Sequence, residues 1–218
     1  MPGPRILTAT TNPAKAERLH RCLGGWPFEF FGPEDLPGVR PPEESAASHR
    51  EIAGDKAVYW SKAAKGLAIA SDGGLIIPAL RERWSSLTTK RATGGEDATD
   101  EARIQRLLTL MVPHQGEERR ALWREAVALA DDGRLIEVWE VEGPVGYIAP
   151  APSPARIAGF WAASLWYFPQ ADKTYTELSA EELRQLRDPW TRLTEAIQGW
   201  LQQGGWERLE RTSSTGNV

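Results

Sequence analysis

Seven side chains in the first third of the chain are of the types that handle phosphate. Thr10, Thr11, Asn12 and Lys15 lie close together, Glu44 and Lys56 follow, and Asp72 sits within Ser71-Asp72-Gly73-Gly74. Hydroxyls, amides and ammonium groups suit phosphate oxygens. Two carboxylates in a set without histidine suit a hard, oxygen-preferring cation such as Mg2+. Phosphate donors, a carboxylate base and a metal together equip a site for phosphoryl or nucleotidyl hydrolysis.

The elements that must position these groups can be read around them. Ile6, Leu7 and Ala9 make a short apolar run, enough for one buried strand. Thr10 and Thr11 end it, Asn12 is a good N-cap, and Pro13 fits the first helical position, where its missing N–H has no partner to lose. Lys15, Arg18 and Arg21 follow at helical spacing. This strand, polar turn and helix N-terminus suit an anion; the competing reading is an ordinary capped helix. Residues 32–42 are a proline-rich loop closed by Glu43 and Glu44. Ser48 with Glu51 forms a capping-box pattern, and the helix it starts carries Lys56 to about Lys65, with Gly66 as its stop. Leu67–Ala70 reads as a strand, Ser71–Gly74 as a turn, and Leu75–Ile77 as the strand resumed. Asp72 then sits in a Gly-rich turn after a buried strand, where ligands gather in α/β folds, or it is a turn residue bonded to its own backbone. His20 and His49 fall in helices and read as surface residues, and His114 has no evident partner.

Further along, Thr99 or Asp97 caps a helix carrying Ile104, Leu107, Leu108 and Met111. Asp131-Asp132-Gly133 is a hairpin turn between two strands, and Val145–Ala149 reads as a third. Gly159–Pro169 is the most aromatic stretch. Phe160 and Trp161 there serve the core or offer a platform for a planar base. Ser179 with Glu182 is another capping box, and Asp188-Pro189 starts a last helix ending at Gly204-Gly205. Residues 1–205 are expected to form one α/β domain, with 206–218 a tail that is disordered from Arg211.

Composition narrows the function. The chain has 218 residues and a formal charge of −4, with both signs interspersed, which argues against general nucleic-acid binding. Cys22 is the single cysteine, so there is no internal disulfide and no zinc spacing. No apolar run approaches membrane-spanning length and no signal-peptide core opens the chain. A soluble, cytoplasmic protein is expected. Phosphate-loop, dinucleotide-fingerprint, zincin and nucleophile-elbow motifs are absent.

The ordered set of motifs resembles the inosine triphosphate pyrophosphatase family, which acts on inosine and xanthosine nucleotides. The resemblance spans about residues 5–200. It rests on Thr10-x-Asn12-x-x-Lys15, on Glu43-Glu44 with Lys56, and on Ala70-Ser-Asp-Gly-Gly-Leu75. Gly95-Glu-Asp-Ala-Thr-Asp100 and Asp172-Lys-Thr with Glu177-Leu-Ser179 complete it. It implies a two-lobed mixed-sheet fold with flanking helices and an active-site cleft between lobes, usually as a homodimer. It also implies Mg2+-dependent cleavage of a nucleoside triphosphate to the monophosphate and pyrophosphate. Thr10, Thr11, Asn12, Lys15, Gly73 and Lys173 would bind substrate. Glu44 would bind the metal, and Asp72 would share it or act as base on the attacking water. Lys56 would touch phosphate or position Glu44.

Three departures from the family pattern matter. The signature's leading Asp is Ser71, for which Glu43 or Asp55 would have to compensate. The base-recognition turn reads Gly159-Phe160-Trp161-Ala162-Ala163, with Ala163 at the Asp position. The family's Ser-His-Arg reads Arg187-Asp188-Pro189. The phosphate half is mostly kept and the base half rewritten, which predicts changed or relaxed base selectivity. Phe160, Trp161 and Arg187 are then the candidates to meet the base. The competing functions are a non-catalytic nucleotide-binding protein and an enzyme for another phosphorylated metabolite.

Overall fold

Ile6 and Leu7 are fully buried, and the run that holds them forms β1 (Arg5–Thr8). The computed structural model describes residues 3–87 and 98–215. Their fold is α/β, with an open mixed sheet flanked by helices. The chain divides into two compact units. The first comprises Met1–Asp72, Glu125–Val141 and Trp190–Val218, and the second Gly73–Arg124 and Glu142–Pro189.

In the first unit, β1 pairs in parallel with β2 (Glu29–Phe31), in register Ile6 with Phe30. On its other side it pairs in parallel with β3 (Leu67–Ile76), in register Leu7 with Ala68. Parallel neighbours need crossovers, and α1 (Pro13–Cys22) and α2 (His49–Ala64) supply them. Asn12 caps α1, its side-chain oxygen accepting from the N–H groups of Ala14 and Lys15 at 3.0 and 3.3 Å. Ser48 caps α2 by accepting from the Glu51 N–H at 3.1 Å. The left-handed residue after α2 is Lys65, at φ 52°, with Gly66 following it.

β4 (Arg120–Asp131) and β5 (Arg134–Glu142) form a hairpin. Asp132 and Gly133 lie at φ 40° and 80°, the two positive φ values of the turn that matches strand twist. One core cluster of this unit joins Leu7, Ala53, Ala57, Trp60 and Ala128. The other joins Ile6, Leu19, Val127 and Leu129 to α5 (Pro189–Trp200) through Leu193 and Ile197. The chain continues as α6 (Trp206–Thr215). Leu209 is fully buried and Trp206 packs its ring 5.0 Å from Trp26 and 5.2 Å from Phe28. This corrects the expected tail: Trp206 and Leu209 give the segment an apolar face to bury.

The second unit holds α3 (Asp100–Met111), capped by Thr99, whose hydroxyl accepts from Ala102 N–H at 3.2 Å. The antiparallel strands β6 (Gly146–Ile148), β7 (Trp166–Phe168) and β8 (Lys173–Thr174) follow, with β6 also pairing the start of β4. α4 (Ala180–Leu186) carries a full capping box between Ser179 and Glu182. The core joins Ile104, Leu107 and Met111 of α3 to Trp166, Phe168 and Tyr175. Among the described residues the strand order is β2-β1-β3-β4-β6-β7-β8, with β5 on β4.

A second correction concerns Ser71–Gly74. These residues do not turn: β3 runs unbroken through them, and neither Gly73 nor Gly74 has a positive φ. The glycine serves close approach instead. A Cβ on Gly74 would lie 2.3 Å from the Ser86 carbonyl oxygen.

Candidate active site

The capped start of α1 sets the direction of Lys15. Thr10 Oγ1 accepts from the Asn12 N–H at 3.1 Å, so the turn is braced on both sides of Asn12. Thr11 is exposed. The Lys15 ammonium lies 3.7 Å from Glu125 Oε1, a carboxylate on β4 that is only 1% exposed. Burial pushes the lysine pKa down, but the charges of Glu125, then Asp72 and Glu44, push it up, and the net shift is upward. One ammonium is thus surrounded by three carboxylates and stays charged at any physiological pH.

Lys56 donates to Glu44 Oε1 at 2.9 Å. Lys56 projects from α2 and Glu44 from the loop before it, so the helix fixes the acid's position. The small pocket beside the pair is lined by Glu43, Asp55 and Ile52 among others, which puts both proposed substitutes for the missing carboxylate next to Glu44.

Asp72 is oriented by a residue that its sequence context places on the surface. His49 is in fact buried, and its Nδ1 lies 2.5 Å from Asp72 Oδ2. The Ser48 cap, with Ala47 N–H donating to Glu51 Oε2 at 3.1 Å, places His49 at the first helical position, facing β3. The adjacent Ser71 is also buried, and its hydroxyl has no hydrogen-bond partner among the described residues. A buried, unpaired hydroxyl costs about 1–3 kcal/mol.

In the second unit, Lys173 donates to Glu182 Oε1 at 2.6 Å. That ion pair and the capping bonds from Ser179 hold the Glu182 carboxyl down at about 2. Phe160 and Trp161 are core residues rather than a surface platform. Phe160 lies 4.5 Å edge-on to Trp123 and 5.2 Å from Tyr175, and Trp161 lies 6.3 Å from Trp84. Ala163 is fully buried. Arg187 is exposed and left-handed at φ 52° as the cap of α4. Next to it, Asp188 is buried and accepts from the Tyr175 hydroxyl at 2.7 Å.

The Ham1 family model matches residues 6–188 of this chain. The chain belongs to the Ham1 family. It is 32% identical to a dITP/XTP pyrophosphatase of Geobacillus kaustophilus, over 94% of this chain and 98% of that one. It is also 32% identical to a dITP/XTP pyrophosphatase of Thermus thermophilus, over 83% and 84%. The solved Ham1 protein of Staphylococcus aureus superposes with a TM-score of 0.69 at 26% identity, covering 89% of this chain and 98% of that chain. The HAM1 protein of Coxiella burnetii gives 0.74 over 90% and 99%, at 24% identity.

Within this Ham1 chain the structure brings Lys15, Glu44, Lys56 and Asp72 into one cluster in the first unit. Gly73, Phe160, Trp161, Lys173 and Arg187 belong to the second. Gly95–Asp97 of the fourth motif lies outside the described residues. Two residues of the cluster, His49 and Glu125, are not singled out by the motifs, yet each leaves a signal. Positions 49, 52, 53, 57 and 60 are all buried on α2, a single helical face that includes the histidine. Glu125 is a charge inside an apolar strand, and a buried charge is normally paired.

Among the described residues no group of three or more His, Cys, Asp or Glu could hold a metal by itself. Mg2+, however, is commonly held by one or two carboxylates together with substrate phosphates. The donor set of Glu44 and Asp72, two carboxylates that both act on Lys15, fits an ion shared with substrate in that way.

Proposed function

We propose that this Ham1-family chain is a Mg2+-dependent nucleoside triphosphate pyrophosphatase with an altered base pocket. It would cleave the α–β phosphoanhydride to give the nucleoside monophosphate and pyrophosphate. The relatives named dITP/XTP pyrophosphatases support the reaction class. The observation that carries the reading is the charged cluster: the Lys15 ammonium among Glu125, Asp72 and Glu44, with Lys56 on Glu44.

A polyphosphate is recognised by cations, and Lys15 on α1 and Lys56 on α2 provide two. Preset cations stabilise the charge that develops on the leaving pyrophosphate without reorganising. Glu44 and Asp72 would hold Mg2+, which would neutralise the phosphate oxygens. Asp72 takes the proton of the attacking water as the new P–O bond forms and the bridging P–O bond breaks. Altered base recognition is supported by Ala163, which is apolar and fully buried, and by Asp188, whose carboxylate is bonded to Tyr175. Neither residue offers a free polar edge to a base.

Asp72→Asn keeps size and removes the basic carboxylate, so pyrophosphate release should fall about 10²–10⁴-fold, the usual contribution of a general base. Unchanged release would remove Asp72 from the mechanism. Ser71 favours one rival, a nucleotide-binding protein without turnover. Calorimetric binding of a triphosphate that no pyrophosphate assay sees consumed would establish that rival.

A further inference from the structure

We infer that His49 is a positioning residue for the reaction: it locks the Asp72 carboxylate in the orientation from which it meets the attacking water. This deepens the pyrophosphatase reading and rests on it. A carboxylate has only acceptors, so at 2.5 Å from Asp72 Oδ2 the His49 Nδ1 must carry the hydrogen. That holds whether the ring is neutral or protonated. The bond ties up one carboxylate oxygen and fixes the plane of the group, leaving the second oxygen for chemistry.

The supporting structure is rigid on both sides. His49 is 2% exposed and sits in the first turn of α2, which the Ser48 cap and the Glu51 side chain hold in place. Asp72 belongs to the continuous strand β3, between buried Ser71 and buried Gly74. A turn would let the aspartate swing; a strand held on a helix by a charge-assisted bond does not. The neighbour Ser71 brings no carboxylate to this stretch of β3, so Asp72 is held by an imidazole rather than set against a second acid. An outer partner of this kind typically contributes about 10–100-fold to activity.

The test uses the full-length chain, Mg2+ and a pyrophosphate-release assay over a panel of nucleoside triphosphates. His49→Leu fills the volume and removes the donor. His49→Asn keeps a donor, its amide nitrogen standing near the place of Nδ1. The expected result is a fall in kcat of about 10–100-fold for His49→Leu with KM nearly unchanged. His49→Asn should recover most of that loss, and in an Asp72→Asn background His49→Leu should add little. Nitrogen-15 spectra of the wild-type protein should show a proton on His49 Nδ1, a readout independent of turnover. Equal losses in His49→Leu and His49→Asn with both folded, a rise in KM alone, or an Nδ1 without a proton would overturn the inference. A wild-type protein that releases no pyrophosphate from any triphosphate refutes the pyrophosphatase reading itself. Active wild type with an unaffected His49→Leu refutes only the role of His49.

Discussion

Removing the Lys15 ammonium should destabilise the first unit far more than a surface substitution does. The pair partner, Glu125, is 1% exposed and 3.7 Å away. At that distance and an effective dielectric of about 20, Coulomb attraction is about 4 kcal/mol. Desolvation offsets part of it in the intact protein, but in Lys15→Met the acid loses this cation without regaining water. Breaking such a pair from one side costs about 3–5 kcal/mol. Urea unfolding of wild type, Lys15→Met, Glu125→Gln and the double variant at pH 7 gives the coupling directly. Lys15→Met should lose about 3 kcal/mol or more, and adding Glu125→Gln should restore much of it. The pH dependence has a definite sign. The folded pKa of Lys15 is raised above 10.5, so its stabilisation is complete below pH 10.5 and is lost as pH climbs through the folded value. Lys15→Met should lack that alkaline limb. A coupling below about 0.5 kcal/mol, the level of exposed pairs, would mean that Lys15 and Glu125 do not form a buried, interdependent ion pair.

Three further outcomes can be checked. Gly74→Ala sets a Cβ 2.3 Å from the Ser86 carbonyl oxygen; overpacking of this kind costs about 1–3 kcal/mol, visible as a lowered Tm. Glu182 has a folded pKa of about 2, so its contribution is present above its unfolded value and is lost as pH falls through about 2; Glu182→Gln should flatten the acid limb of a stability–pH curve. His20 is the opposite kind of group from Lys15: burial lowers its pKa below 6.5, so protonation favours unfolding. His20→Gln should therefore reduce the loss of stability as pH drops below 6.5, measured by thermal melts.

The start of α1 was legible because its geometry is local. A cap residue, a proline and a lysine in one helical turn declare their geometry, and Asn12 caps α1 as its type and position predict. The hairpin at Asp132-Gly133 was equally legible, since positive φ is written in residue type. Ser71–Gly74 misled for a physical reason. Adjacent glycines signal a turn, yet here Gly74 yields space to a neighbouring backbone within a strand, and nothing local distinguishes the two uses. Phe160 and Trp161 are aromatic for the core of the second unit, a demand set by residues far away in sequence. The His49–Asp72 contact is likewise non-local, joining a helix start to a strand 23 positions on, and composition could not reveal it. Trp206 and Leu209 make α6 part of the fold, although their short polar surroundings read as a tail.

We propose that this chain splits nucleoside triphosphates between the α and β phosphates, the reaction class its dITP/XTP pyrophosphatase relatives support. The direct measurement is product analysis by phosphorus-31 NMR after incubation with dITP or XTP and Mg2+. The predicted result is nucleoside monophosphate and pyrophosphate in equal amounts, formed about 10²–10⁴-fold more slowly by Asp72→Asn. Release of orthophosphate with the diphosphate, or no turnover of any triphosphate in a panel that includes the common nucleotides, would contradict it.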